Sequence, residues 1–146
     1  MKKGMMKVMF CLVFGGATLW LIPSIGLTEC TVKIGDVSYS SIQKAIDAAV
    51  PGGTINISGE CTGEYLGHGD PPRNLFVSEL KNYISLVGPA TIIGNTDQGA
   101  TIMIIGKAIR IQNLTISGGQ DGIQVWRGGT AFIEQNVIQN TGGYGI

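Results

Sequence analysis

The sequence predicts an all-β chain built as a parallel β-helix, a solenoid of stacked strands, with one α-helix capping its N-terminal end. Three observations predict it. Gly99, Gly122 and Gly145 recur 23 residues apart, each opening an apolar run (QGATIMI, DGIQV, YGI), and a constant period of that size marks one unit stacked on itself. Glycine supplies 23 of 146 residues while charged residues make up only 14%, which suits many turns between buried strands. The one convincing helical stripe stands ahead of the strands rather than among them.

In chain order, a basic stretch with Lys2, Lys3 and Lys7 leads into an uncharged apolar run over 8–22, broken by Pro23, Ser24 and Gly26. That is the order of a secretory signal, and the run is short for a membrane span, which takes about 20 residues. Residues 1–28 are expected to be a signal peptide, with an uncleaved membrane anchor as the alternative. Residues 29–146 are then the β-helix domain, placed outside the cell, in a periplasm or on a cell surface. From Glu29 onward seven Lys/Arg stand against ten Asp/Glu. With no basic patch or aromatic array, nucleic acid is not an expected partner. Cys30 and Cys61 remain after the leader. In an oxidising compartment an even pair reads as a disulfide, the alternative being two separate buried thiols.

Thr31–Gly35 alternates as a short strand. Ser41–Val50 is the helix, with Ser40 as N-cap and Gln43 completing a capping box. Ile42, Ala45, Ile46 and Ala49 form its apolar stripe, and Pro51-Gly52-Gly53 ends it. Laid across the open end of a stack of strands, it would cover apolar interior and unpaired edges. Thr54–Ser58 reads as a strand, followed by an irregular stretch with a strand signal at Leu75–Val77. Further strands are expected at Tyr83–Val87, Thr91–Ile93, Thr101–Ile105, Ile109–Ile111, Leu114–Ser117, Ile123–Trp126, Ala131–Ile133 and Val137–Gln139. The expected core is Ile84, Leu86, Ile93, Ile102, Ile104, Ile109, Ile111, Leu114, Ile116, Ile123, Val125, Ile133 and Ile138. Asn95, Asn113, Asn136 and Asn140 sit at strand ends, where asparagine suits tight turns.

The segments YSSIQKAIDAAVPGGTINISGECTGEY, LKNYISLVGPATIIGN, IQNLTISGG and DGIQV, taken in that order, resemble the pectin-lyase-like superfamily of right-handed parallel β-helices. The resemblance covers about Tyr39 to Ile146 and is closest in layout to the first coils of pectinesterases. It implies a right-handed solenoid and a polysaccharide as the partner, but does not by itself assign chemistry. Gln120 matches the family's first glutamine. The next coil reads Gly142-Gly143-Tyr144 where a Gln-Asp pair is expected, so no catalytic residue is assigned. Asn95-Thr96-Asp97 and Gly67-His68-Gly69 match polygalacturonase motifs only in reversed order.

Calcium takes six to eight oxygens, usually from several carboxylates. Asp97 and Asp121 are the only acids at matching places, so no cofactor is expected; Ca²⁺ is the one ion considered. Candidate ligand contacts are Trp126, as a stacking surface for a sugar ring, Arg127 beside it, Asp97 and Asp121, each weighed against a plain packing or turn-capping role. Lys107 and Arg110 are further cations able to meet a uronate. The chain is expected to stop in mid-coil at Gly145-Ile146, its open end meeting further coils or another chain. The leading expectation is a non-catalytic or catalytically incomplete domain that recognises or presents extracellular polysaccharide. The alternatives are the N-terminal part of a polysaccharide-active enzyme of the lyase, esterase or hydrolase kind, and a structural surface protein.

Overall fold

The computed structural model describes residues 28–63, 73–94 and 99–146. In order these form β1 (Thr31–Ile34), β2 (Val37–Tyr39), α1 (Ile42–Ala48), β3 (Thr54–Thr62), β4 (Arg73–Val77), β5 (Ser85–Ile93), β6 (Ala100–Ile104), β7 (Ile109–Ser117), β8 (Asp121–Val125), β9 (Ala131–Glu134) and β10 (Val137–Gln139). Among the described residues the strands make two sheets. A seven-stranded mixed sheet runs β10-β7-β5-β3-β1-β2, with β9 also on β7, and a three-stranded parallel sheet runs β4-β6-β8.

This corrects the expected architecture. The described strands show no closed solenoid and no right-handed β-helix. Two physical reasons stand out. Gly35 turns the chain with φ 56°, so β1 pairs antiparallel with both β2 and β3 and the larger sheet is mixed. Nor is the strand spacing constant. Thr54 faces Ser85 and Ala90 faces Leu114, whereas Ile109 faces Ala131, so the separation falls from 31 to 24 to 22 residues. The glycine interval is not the ladder register either. Ala100 lies opposite Asp121, which leaves Gly99 two residues out of step with Gly122, although the Gly122 N–H does reach Tyr144 O beside Gly145 (3.0 Å).

One apolar cluster draws on both sheets. Its inward columns are set by register: Ile55, Leu86 and Ile111 face one another, as do Cys61, Ile92 and Ile116, and Leu75, Ile102 and Ile123 stack in the smaller sheet. Full burial of such a side chain contributes roughly 1.5–3 kcal/mol. Ile93 and Val125 are not in the buried core, and Ile133 and Ile138 are partly buried against it. Gly88-Pro89 does not end a strand; β5 runs through it with a register shift between Val87 and Ala90, and Ile92 rather than Ile93 keeps phase with Leu86 and is buried. Val125, Ile133 and Ile138 stand on the outermost strands β8, β9 and β10, so neighbours cover them less; Val125 is 38% exposed.

Helix α1 is shorter than expected and is capped by Ser41, whose side chain accepts from Lys44 N (3.3 Å). Ser40 instead accepts from Lys44 Nζ (3.0 Å). Gln43 does not close a capping box. Its Oε1 accepts from Phe76 N (2.9 Å) and its Nε2 donates to Phe76 O (3.1 Å). The side-chain amide thus pairs with the backbone of β4, the outer strand of the smaller sheet. Lys81 Nζ donates to the Asp47 and Ala49 carbonyls at the other end of the helix. Gln43→Ala removes two hydrogen bonds to the backbone of a largely buried edge and is expected to cost about 1–3 kcal/mol. Urea unfolding checks this: a midpoint equal to that of the parent chain would show that the edge does not depend on the amide.

Cys30 and Cys61 are bonded, with Cα atoms 4.9 Å apart, so the bridge is formed rather than two free thiols. By loop-closure entropy such a link contributes about 3 kcal/mol, and it points to an oxidising, extracellular-type environment. Among the described residues no helix is long and apolar enough to cross a membrane. The expected signal over 1–28 falls, up to residue 27, outside the described residues.

Candidate functional site

The larger sheet bends where β3, β5 and β7 change phase. Gly59 takes φ 84° in β3 and Asn113 φ 57° in β7, and Gln135, between β9 and β10, takes φ 57°. Such left-handed backbone is easy for glycine and tolerated by asparagine. The ladder places these corners beside one another: Ala90 faces both Gly59 and Leu114, and β9 and β10 flank Gln135 on the far side of β7. The Asn136 side chain completes the corner, accepting from Leu114 N (2.9 Å) and donating to Ile111 O (2.8 Å).

A groove of about 660 Å³ follows this line of corners. It begins at Thr28 and Glu29, crosses Ser58 and Gly59 of β3, then Pro89, Ala90 and Thr91 of β5, then Asn113, Leu114 and Thr115 of β7, and ends at Gln135 and Val137. Crossing from β3 to β10 at the usual strand spacing gives a length of about 14 Å. Thr91 and Thr115 are opposite each other in the ladder and both are half-buried. Gln112 Nε2 donates to Gln135 Oε1 (3.1 Å) and fixes that side chain at the groove. Among the described residues that line it, Glu29 is the one charged side chain. The surface is therefore made of hydroxyls, amides and short apolar groups, suited to hydrogen-bonding a neutral ligand rather than to holding a charged one.

Of the candidate ligand contacts named from sequence, Asp121, Trp126 and Arg127 do not line this groove. Asp121 begins β8 and Trp126 follows its last residue, about 16 Å further along an extended strand, so the two do not form one site. The Asp121 Oδ1 accepts from Tyr144 N (3.0 Å), which is a turn-capping contact. The Arg127 guanidinium lies 4.5 Å from the centre of the Trp126 ring, so the pair satisfies itself as a cation–π contact. Arg110 is engaged by Glu134 (2.6 Å) and lies 5.9 Å from the Phe132 ring; both ion-pair partners are nearly half exposed, and such a pair contributes little. Asp97, Asn95 and His68 lie outside the described residues. Among the described residues no group of three or more His, Cys, Asp or Glu gathers to hold a metal ion.

A signal for the groove was present in the sequence. Ile111 and Ile116 recur as Ile133 and Ile138, 22 residues on, and that interval, unlike the glycine one, is the register of β7 with β9 and β10. The chain matches no family model, no curated protein and no solved structure.

Proposed function

We propose that the protein is an exported, non-catalytic binding domain whose groove receives an extended, neutral polysaccharide. The observation that carries the reading is the groove lining: hydroxyl and amide side chains on three neighbouring strands and on the Gln135 turn beyond them, with a single carboxylate among the described lining residues. The pitch of the strands, about 4.8 Å, is close to the length of one sugar ring in an extended chain, so β3, β5 and β7 can each offer a polar group to successive rings. An anionic uronate chain would meet Glu29 and no lining cation, which favours neutral sugars over pectin or alginate. The disulfide supports an oxidising compartment, in keeping with secretion, a periplasm or a cell surface.

The test is binding of cellohexaose, xylohexaose and mannohexaose against hexagalacturonate, read by calorimetry or affinity electrophoresis. At least one neutral hexasaccharide is expected to bind. The double variant Thr91→Ala/Thr115→Ala should weaken it by about tenfold, the effect of losing two modest hydrogen bonds. Trp126→Ala should leave it unchanged. Preference for hexagalacturonate, or loss of binding in Trp126→Ala alone, would move the site to β8 and overturn the reading.

A further inference from the structure

We propose that the Cys30–Cys61 bridge is a redox latch on one wall of the groove, whose reduction releases Thr28 and Glu29 and opens that end. The effect on ligand rests on the binding reading above; the release of the wall does not. Thr28 and Glu29 form the wall beside β3. Beyond the β1 ladder, which starts at Thr31 opposite Ser58, three ties hold the wall among the described residues. Glu60 N donates to Thr28 O (2.9 Å), Glu29 makes an isolated ladder contact with Glu60, and Cys30 is bonded to Cys61. The close fit also depends on Gly59, where an added Cβ would fall on Glu29 O and 2.6 Å from Thr28 O. Single hydrogen bonds are worth only about 0.5–1.5 kcal/mol net, so the covalent link is what holds the wall down.

The two sulfurs differ in access. Cys30 is exposed while Cys61 is 1% exposed within the core. A dithiol reductant can therefore attack Cys30 Sγ as a thiolate, forming a mixed disulfide while Cys61 leaves and takes up a proton. The second thiol of the reductant then displaces Cys30. Two electrons pass from the dithiol, which becomes a disulfide, to the bridge, which becomes two thiols. Cys61 stays buried beside Ile92 of β5, so β3 keeps its place while the segment ahead of β1 is freed. The groove then loses its one lining carboxylate and the polar groups at that end.

The experiment compares the oxidised protein with the protein held in dithiothreitol, by hydrogen exchange and by binding of the three neutral hexasaccharides. Reduction is expected to speed exchange at the Glu60 amide, the donor to Thr28, by about tenfold or more beyond the rise at the Ile92 amide in the sheet centre, which follows only the loss of the stability the bridge supplied. The affinity of whichever hexasaccharide binds should fall about tenfold. Gly59→Ala, which displaces the same wall with the bridge intact, should reproduce the loss of affinity. An unchanged Glu60 rate overturns the latch. Equal acceleration at Glu60 and Ile92 also overturns it, since reduction would then unfold the whole domain. If none of the sugars binds in either state, the polysaccharide reading fails, and the Glu60 exchange still decides the latch.

Discussion

Gly88→Ala is expected to destabilise the protein by about 3 kcal/mol or more, the upper range for forced overpacking. The added Cβ would be driven onto Asn113 O, with Asn113 C at 2.8 Å and Ala90 N at 2.9 Å. Those are backbone atoms of two paired strands, and neither can swing aside as the end of a long side chain can. The strain falls where β5 shifts register, so relief would require β5 and β7 to part and the groove floor to open with them. Gly142→Ala is the control: its nearest neighbours lie at 3.8 Å, and it should stay within about 0.5 kcal/mol of the parent. Thermal or urea melts of both variants decide the matter. Equal midpoints would mean that the two strands are not in tight contact at this point.

Ile102→Ala should cost about 2–5 kcal/mol, the range for emptying a buried aliphatic site. Ile102 is fully buried in the middle strand of the smaller sheet, between Leu75 and Ile123 in register. Its neighbours are themselves fixed by the ladder, so little collapse can fill the space left. Phe132→Ala removes a larger side chain that is 54% exposed on the outermost strand β9. Its loss should be much smaller, under about 1 kcal/mol. A smaller loss for Ile102→Ala than for Phe132→Ala would place the core elsewhere.

Most strands were legible in the sequence because their β-branched runs alternate with the right period. Thr101–Ile105 and Val137–Gln139 correspond to β6 and β10 almost residue for residue. β2 was missed because three residues, Val37–Tyr39, are too short to show a period and owe their strand to pairing with β1. Val87–Ala90 misled for another reason. A Gly-Pro pair usually ends a strand, but here it sits at a corner the strand turns through, and only the partner strand reveals that. Counting from Leu86 without a break would have given Ile92. The overall architecture departs from what three equally spaced glycines predict, because hydrogen bonding sets its own, uneven register. The groove was the least legible feature: Thr91, Thr115 and Gln135 come together only across strands. Trp126 and Arg127 stood out because large aromatic and cationic side chains are conspicuous in a chain with so few of them. In the folded protein those two groups are spent on each other.

The falling separation between partners, from 31 to 24 to 22 residues in the larger sheet, has a consequence for how the chain finds its fold. Were every crossing of one length, a strand could settle beside the wrong neighbour and still satisfy its ladder, its inward isoleucines and its connections. Identical side-chain patterns would offer no correction, since register is specified only where a slip changes what is buried. Here a misplaced strand is left with a connection that is too long or too short by two to nine residues. Distance along the chain therefore acts as an address, which distinguishes strands that their side chains alone would leave interchangeable. Levelling the crossings by deletion between β3 and β5 should erase that address and yield a mixture of pairings in place of one.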